Sequence, residues 1–217
     1  MEAAAFLAAL PQERPELIVV DDGSRPGEEI RPGDLPAGTA CIGLPHNVGK
    51  GGALKAGIGR ARGDLIVFTD SDLPFSLDPL PTTLAWLRAD ADIVIGDRLL
   101  PESECEAPVT PMRRLSSAVF TFMVKRLCGL AFDDTQCGYK GYRGPVAKTL
   151  FAQLETTSFA FEVEVLLRAT KAGYRIRRQP LRLVHNEDSS VRLSSHAPRM
   201  MADTLRIAWR NARGRYG

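Results

Sequence analysis

Two carboxylates, Asp70 and Asp72, flank Ser71 directly after the apolar run Leu65-Ile-Val-Phe68. Such a run has the pattern of a strand buried on both faces of a parallel sheet. In open α/β sheets, ligands bind beyond the carboxyl ends of the strands. No Lys or Arg lies close in sequence to neutralise the acid pair. Once the strand ends and the backbone turns, side chains at i and i+2 can converge on one cation. Hard oxygen ligands suit Mg²⁺ or Mn²⁺, which take one or two carboxylates together with the phosphates of a substrate. Taken alone, Asp-Ser-Asp also suits a solvated turn, so the neighbouring motifs matter.

Two of them stand upstream. Asp21-Asp22-Gly-Ser24 follows the buried-type strand Glu16–Val20, and a carboxylate there could accept from a base or a ribose hydroxyl. Gly49-Lys50-Gly51-Gly52 opens a helix expected over about 53–62, where backbone N–H groups and the helix dipole could cradle phosphate. It is neither a Walker loop nor a dinucleotide fingerprint, since both spacings fail. Each motif has a plainer reading as a turn; their recurrence at successive βα units is what carries weight.

The elements that must position these residues follow from the pattern. Further strands are expected near 40–44 and 92–96, and helices near 2–10 and 77–88. Four strands with crossover-length connections argue for a mainly parallel, doubly wound α/β sheet. Its strand ends, including Gly96-Asp-Arg98, should gather on one edge. Beyond Leu99 we expect a loop over 101–111, then helices over 113–131, 145–154 and 159–172. Two short strands should flank Pro180, and a last amphipathic helix should run over 196–213.

The 217 residues fit one domain, with a first half (1–99), a second half (100–195) and a terminal helix (196–217) as its expected parts. A net charge of +2 gives no reason to expect a nucleic-acid partner. Cys41, Cys105, Cys128 and Cys137 lack metal spacing, and neither a signal peptide nor a bilayer-length apolar run is seen. Reduced thiols in the cytoplasm are expected. His46, His185 and His196 lack metal spacing and receive no role.

Taken in order, Asp21-Asp-Gly-Ser, Asn47-Val-Gly-Lys-Gly-Gly-Ala53, Ala61-Arg-Gly63, Asp70-Ser-Asp72, Gly96-Asp-Arg98 and Asp134-Thr-Gln-Cys-Gly-Tyr-Lys140 resemble glycosyltransferase family 2 of the GT-A type. The likeness is greatest to its dolichyl- or polyprenyl-phosphate glucosyl- and mannosyltransferase branch, and it runs from about Glu16 to Val191. The resemblance implies a Rossmann-like, mainly parallel sheet flanked by helices, with short antiparallel additions in the C-terminal half. It implies that Asp22 lies against base or ribose, and that Gly49, Lys50, Gly51, Asp70 and Ser71 lie along the nucleotide sugar. Asp70 and Asp72 would hold Mg²⁺ or Mn²⁺ on the donor diphosphate. Arg98, Asp134 and, by a looser match, Glu162 would stand at the reaction centre. The donor would be UDP-glucose or GDP-mannose and the acceptor a polyprenyl phosphate. A soluble acceptor, or a domain that binds without catalysing, are the alternatives.

An acceptor phosphate needs cations, for which Arg98, Arg113, Arg114 and Lys140 are the candidates. If a base is used, Asp134 is the candidate. The basic, apolar segments 113–131 and 196–213 would suit a peripheral position on an anionic membrane's inner face, although most amphipathic helices simply face a core. The chain departs from the family in starting inside the helix that follows the usual first strand, and in lacking the C-terminal transmembrane segments of some relatives. An edge left open by a missing strand invites pairing, and hence a homo-oligomer.

Overall fold

The computed structural model describes residues 15–105, 111–184 and 193–216. The helix expected over 2–10, His185, and the side chains of Arg113 and His196 lie outside the described residues. Ile18–Asp21 (β1) and Ala40–Gly43 (β2) pair in parallel, with Val20 opposite Ile42. Lys50–Arg60 (α1), Leu65–Phe68 (β3), Leu80–Ala89 (α2) and Ile93–Gly96 (β4) follow. The second half contributes Pro111–Cys128 (α3), Lys140–Arg143 (β5), Gly144–Ala152 (α4), Phe161–Lys171 (α5), Ile176–Gln179 (β6) and Leu193–Ala212 (α6).

A second sheet has the order β3-β5-β4-β6, with β5 antiparallel to both neighbours and β4 parallel to β6. Two expectations need correction here. The first four strands do not share one ladder, because β1 and β2 form their own two-stranded sheet. The short antiparallel strand expected in the C-terminal half is β5, and it sits between β3 and β4. Nor do two strands flank Pro180: β6 precedes it, and beyond it Arg182 and Leu183 form only isolated bridges to Glu104 and Phe75. Strand β5 escapes sequence reading because Lys-Gly-Tyr-Arg has no apolar run, and its fitness for a central strand depends on partners far away in the chain.

Alternation explains how the sheet is covered on both faces. Ile66, Phe68, Ile93, Ile95 and Tyr142 share one core with Phe151 of α4 and Phe161 of α5. On the other face Val94 packs with Leu87 of α2, with Leu65 and Trp86 at the margin. The Phe68 and Phe151 rings each lie 5.9 Å from Tyr142, stacked and edge-on respectively. Burying an aromatic or large aliphatic side chain contributes about 1.5–3 kcal/mol, so this cluster is a main anchor of β3 and β5. At Gly141 a Cβ would come within 2.6 Å of Thr83 Cγ2. The bare backbone there lets α2 lie down on the sheet.

Because β5 runs against β3 and β4, its first residue meets their carboxyl ends. Lys140 pairs with Phe68 on one side and Ile95 on the other. The polar segment before β5 is thereby delivered to the edge where Asp70 and Arg98 emerge.

Candidate active site

Asp22, just past β1, accepts hydrogen bonds from the amides of Val48 (2.8 Å) and Gly49 (2.9 Å). It ties the strand end to the Gly-rich turn, and both its oxygens already serve this purpose. Gly49 has φ of 92° and a Cβ on it would stand 2.6 Å from Thr157 O. The Gly51 amide donates to that same carbonyl at 2.8 Å. A Cβ on Gly51 would meet Phe161 Cβ at 2.6 Å. These glycines therefore admit the segment leading into α5. Of the amides expected to cradle phosphate, those of Gly49 and Gly51 thus have partners within the protein. Lys50 is the group that the turn offers instead.

The ammonium of Lys50 lies 2.7 Å from Asp70 Oδ1. Burial works to lower the Lys50 pKa, but the Glu162 and Asp70 carboxylates outweigh it and hold the group above its ordinary range. Beneath Asp70 runs Gly138, where a Cβ would fall 1.9 Å from Asp70 Oδ2. Only a glycine leaves room for this carboxylate. Ser71 and Asp72 are exposed in a turn closed by the Leu73 amide on Asp70 O at 3.1 Å. Next to Asp70, Thr69 Oγ1 is buried without a hydrogen-bond partner.

This donor set fits a hard divalent cation that keeps most of its ligands outside the protein. Two strand-end carboxylates are present, one seated in a cradle that a Cβ would fill. Among the described residues no group of three His, Cys, Asp or Glu could complete a cage. Phosphate and water would have to supply the rest, as suits Mg²⁺ or Mn²⁺.

The Arg98 guanidinium grips Asp134 with two prongs, Nε to Oδ2 at 2.7 Å and Nη2 to Oδ1 at 2.8 Å. The Arg98 amide adds a third bond at 3.1 Å. Asp134 is buried while Arg98 stays 41% exposed, so the arginine keeps a face toward solvent. Burial would raise the Asp134 pKa, but the Arg98 hydrogen bonds and charge hold it below the usual carboxylate range.

Lys140 and Glu162, expected at the acceptor and the reaction centre, are instead each other's partner. Lys140 Nζ lies 2.7 Å from Glu162 Oε1 and 2.5 Å from Cys137 O, and both side chains are at most 2% exposed. Placing Lys140 inside a sheet leaves its ammonium no water, so it needs this carboxylate. Cys137 beside it is a neutral thiol, pushed up to about 12, chiefly by burial.

Sequence reasoning missed Gly138, Thr157, Asp97 and Arg178. Asp97 is fully buried, accepts from Arg178 Nε at 2.5 Å, and caps the Leu99 amide at 2.9 Å. It braces the loop that presents Arg98. A signal for it was in view in Gly96-Asp-Arg98, but nothing in the sequence marks Arg178. Arg114 is exposed on the first turn of α3 and shows no link to this cluster; His46 is exposed as well.

The model of the family described as glycosyl transferase family 2 matches residues 3–151. The chain belongs to that family. Among its relatives, a dolichyl-phosphate beta-glucosyltransferase of Trichomonas vaginalis is 28% identical over 95% of this chain and 65% of its own length. The human dolichyl-phosphate beta-glucosyltransferase is 30% identical over 76% of this chain and 56% of its own. An undecaprenyl-phosphate mannosyltransferase of Micrococcus luteus is 28% identical over 86% and 78%. The chain thus spans less than two thirds of the length of these two dolichyl-phosphate relatives. Glucosyl-3-phosphoglycerate synthase of Mycobacterium tuberculosis, solved with Mn²⁺, UDP-glucose and phosphoglyceric acid, superposes with a TM-score of 0.62. That match covers 89% of this chain and 68% of the other at 20% identity. The fold of this family 2 chain is therefore GT-A. Among the described residues of this family 2 chain, no helix is long and apolar enough to cross a membrane.

Proposed function

We propose that this chain transfers a hexose, glucose or mannose, from a nucleotide sugar to a polyprenyl phosphate, with inversion and with a divalent metal. The observation that carries the reading is the seating of Asp70. Its carboxylate is held at a strand end by Lys50, over a glycine that could be nothing larger. The relatives' names, dolichyl-phosphate beta-glucosyltransferase and undecaprenyl-phosphate mannosyltransferase, support the acceptor class.

Asp70 and Asp72 would hold the metal, Mg²⁺ or Mn²⁺, which when bound offsets the charge that builds on the departing diphosphate. Lys50 and Ser71 would meet the donor's phosphates. The Asp134 pair uses Nε and one Nη of Arg98, leaving the exposed side of the guanidinium for the acceptor phosphate. Asp134 then acts as the group that aims Arg98. An acceptor monoester needs no base, since its second pKa is about 6 and it is largely dianionic at neutral pH. Lys140 and Glu162 support the site by fixing the start of β5 against β3. Asp22 acts in the same way on the Gly-rich turn, whose Val48 and Gly49 amides it holds.

Asp72→Asn tests the reading. Asp72 is exposed, so its melting temperature should match wild type while metal-dependent transfer to polyprenyl phosphate falls at least about a hundredfold. Unchanged transfer by this variant would remove the metal role.

A further inference from the structure

We propose that Lys50 is a latch on the metal site: with no donor present, its ammonium takes the carboxylate oxygen of Asp70 that the metal needs, and it lets go only when a diphosphate offers it another anion. The inference rests on the reading of Asp70 as a metal ligand. Three observations on this chain carry it. Lys50 Nζ lies 2.7 Å from Asp70 Oδ1. The other oxygen, Oδ2, is seated against Gly138, which fixes how the carboxylate is turned, and at 35% exposed the group is open to a cation from solvent. The latch is also fixed at its base, because it springs from the first residue of α1. Gly49 ahead of it is tied to Asp22, and Gly51 after it to Thr157.

Ligands that compete for one protein group, one of them relieved by a third, are thermodynamically coupled, and the coupling is reciprocal. Metal alone must displace the ammonium and leave it half-buried beside one. Metal with a nucleoside diphosphate gives Lys50 a phosphate in exchange. The chain should therefore bind the cation and the nucleotide as a pair, and hold the bare cation poorly.

The test is a titration of Mn²⁺, followed by loss of the free-ion electron paramagnetic resonance signal, on the full chain without nucleotide and with UDP or GDP. Nucleotide without protein is the control for Mn²⁺ that it sequesters itself. In Lys50→Gln, affinity for Mn²⁺ alone should rise about tenfold, and the enhancement given by nucleotide should shrink by a similar factor. Lys50→Arg, which keeps the charge, should behave as wild type. An unchanged or weakened affinity of Lys50→Gln for Mn²⁺ alone overturns the latch. Wild-type protein that binds no Mn²⁺ with either nucleotide overturns the metal reading itself, a separate failure. A readout on the wild-type chain needs no variant to fold. The Lys50 ammonium resonance in nuclear magnetic resonance should stay in place with Mg²⁺ alone and shift when Mg²⁺ and UDP or GDP are added together. A shift with Mg²⁺ alone overturns the proposal.

Discussion

At the scale of single residues, this site is built from groups whose neighbours leave them little choice. Gly138 is the clearest case. Gly138→Ala would drive a methyl into Asp70, and disturbing a residue that seats a metal ligand typically costs about 10–100-fold in metal affinity. Mn²⁺ titration in the presence of nucleotide should show that loss, with little change in secondary structure by circular dichroism. The Lys140–Glu162 pair makes a different prediction. Lys140→Met strands a buried carboxylate, at a cost of about 3–5 kcal/mol. For a chain of this size that is a melting point lower by about 6–20 °C. Adding Glu162→Leu should restore most of it, and a thermal-melt double-mutant cycle measures the difference. Thiol chemistry gives a third check. Cys128 and Cys137 are buried and their pKa values are pushed up to about 11 and about 12 by burial. Cys41 and Cys105 are partly exposed. Native protein should therefore yield to a thiol reagent at Cys41 and Cys105 well before the buried pair, which peptide mapping can follow.

At the scale of elements, two helices carry more apolar surface than packing uses. On α3, Met112, Leu115, Val119 and Phe122 recur at helical spacing and are all exposed, Met112 and Phe122 to 70% or more. Val124 and Cys128 of the same helix face the core. On α6, Met201, Leu205 and Trp209 form a second exposed stripe, while Ile207 is buried. Arg213 stacks on the Trp209 ring at 4.0 Å. Arg126 adds charge in the last turn of α3, where Lys125 is paired with Asp133. We propose that this face meets an anionic lipid surface, where a polyprenyl tail would lie. Wild-type protein should float with vesicles containing anionic lipid and less so with neutral ones. Leu115→Ser with Phe122→Ser should reduce flotation several-fold. The melting point should hold, because exposed positions change stability by only about 0.5 kcal/mol. Flotation indifferent to both changes would detach the two helices from the membrane.

At the scale of the whole molecule, charge pairs join elements remote in sequence, and they set the response to acid. Asp134 has a folded pKa below its unfolded value of about 3.9. Its contribution to stability is fully present above that value and is lost as pH falls through the lowered folded one. An acid-unfolding titration of Asp134→Asn should start from a lower stability at neutral pH and lose less on acidification than wild type. The same low pKa keeps Asp134 ionised through the neutral range. The acid limb of any transfer profile should then follow the acceptor phosphate, near pH 6, rather than this carboxylate. The two sheets raise a separate expectation. Among the described residues β1 pairs with β2 alone and β3 with β5 alone, and unpaired edges invite association. If a second copy uses them, sedimentation velocity should show a concentration-dependent dimer.

What the amino-acid sequence determined by itself was whatever is local. The run Leu65–Phe68 is a strand to the residue because four apolar residues bounded by Asp64 and Thr69 leave little alternative. Helices α1, α2, α4 and α5 fell within a few residues of their expected bounds, because caps, glycines and prolines act over one turn. The order of the acidic and basic motifs likewise revealed the family. Tertiary structure alone decided which charges meet. Lys50 with Asp70, Arg98 with Asp134 and Lys140 with Glu162 are separated by 20 or more positions. So is the seat that Gly138 makes for Asp70. Strand β5 exists because Phe68 and Ile95 wait on either side of it. A charge or a glycine takes its meaning from what stands within a few ångströms, and proximity in a folded sheet is not written in linear spacing.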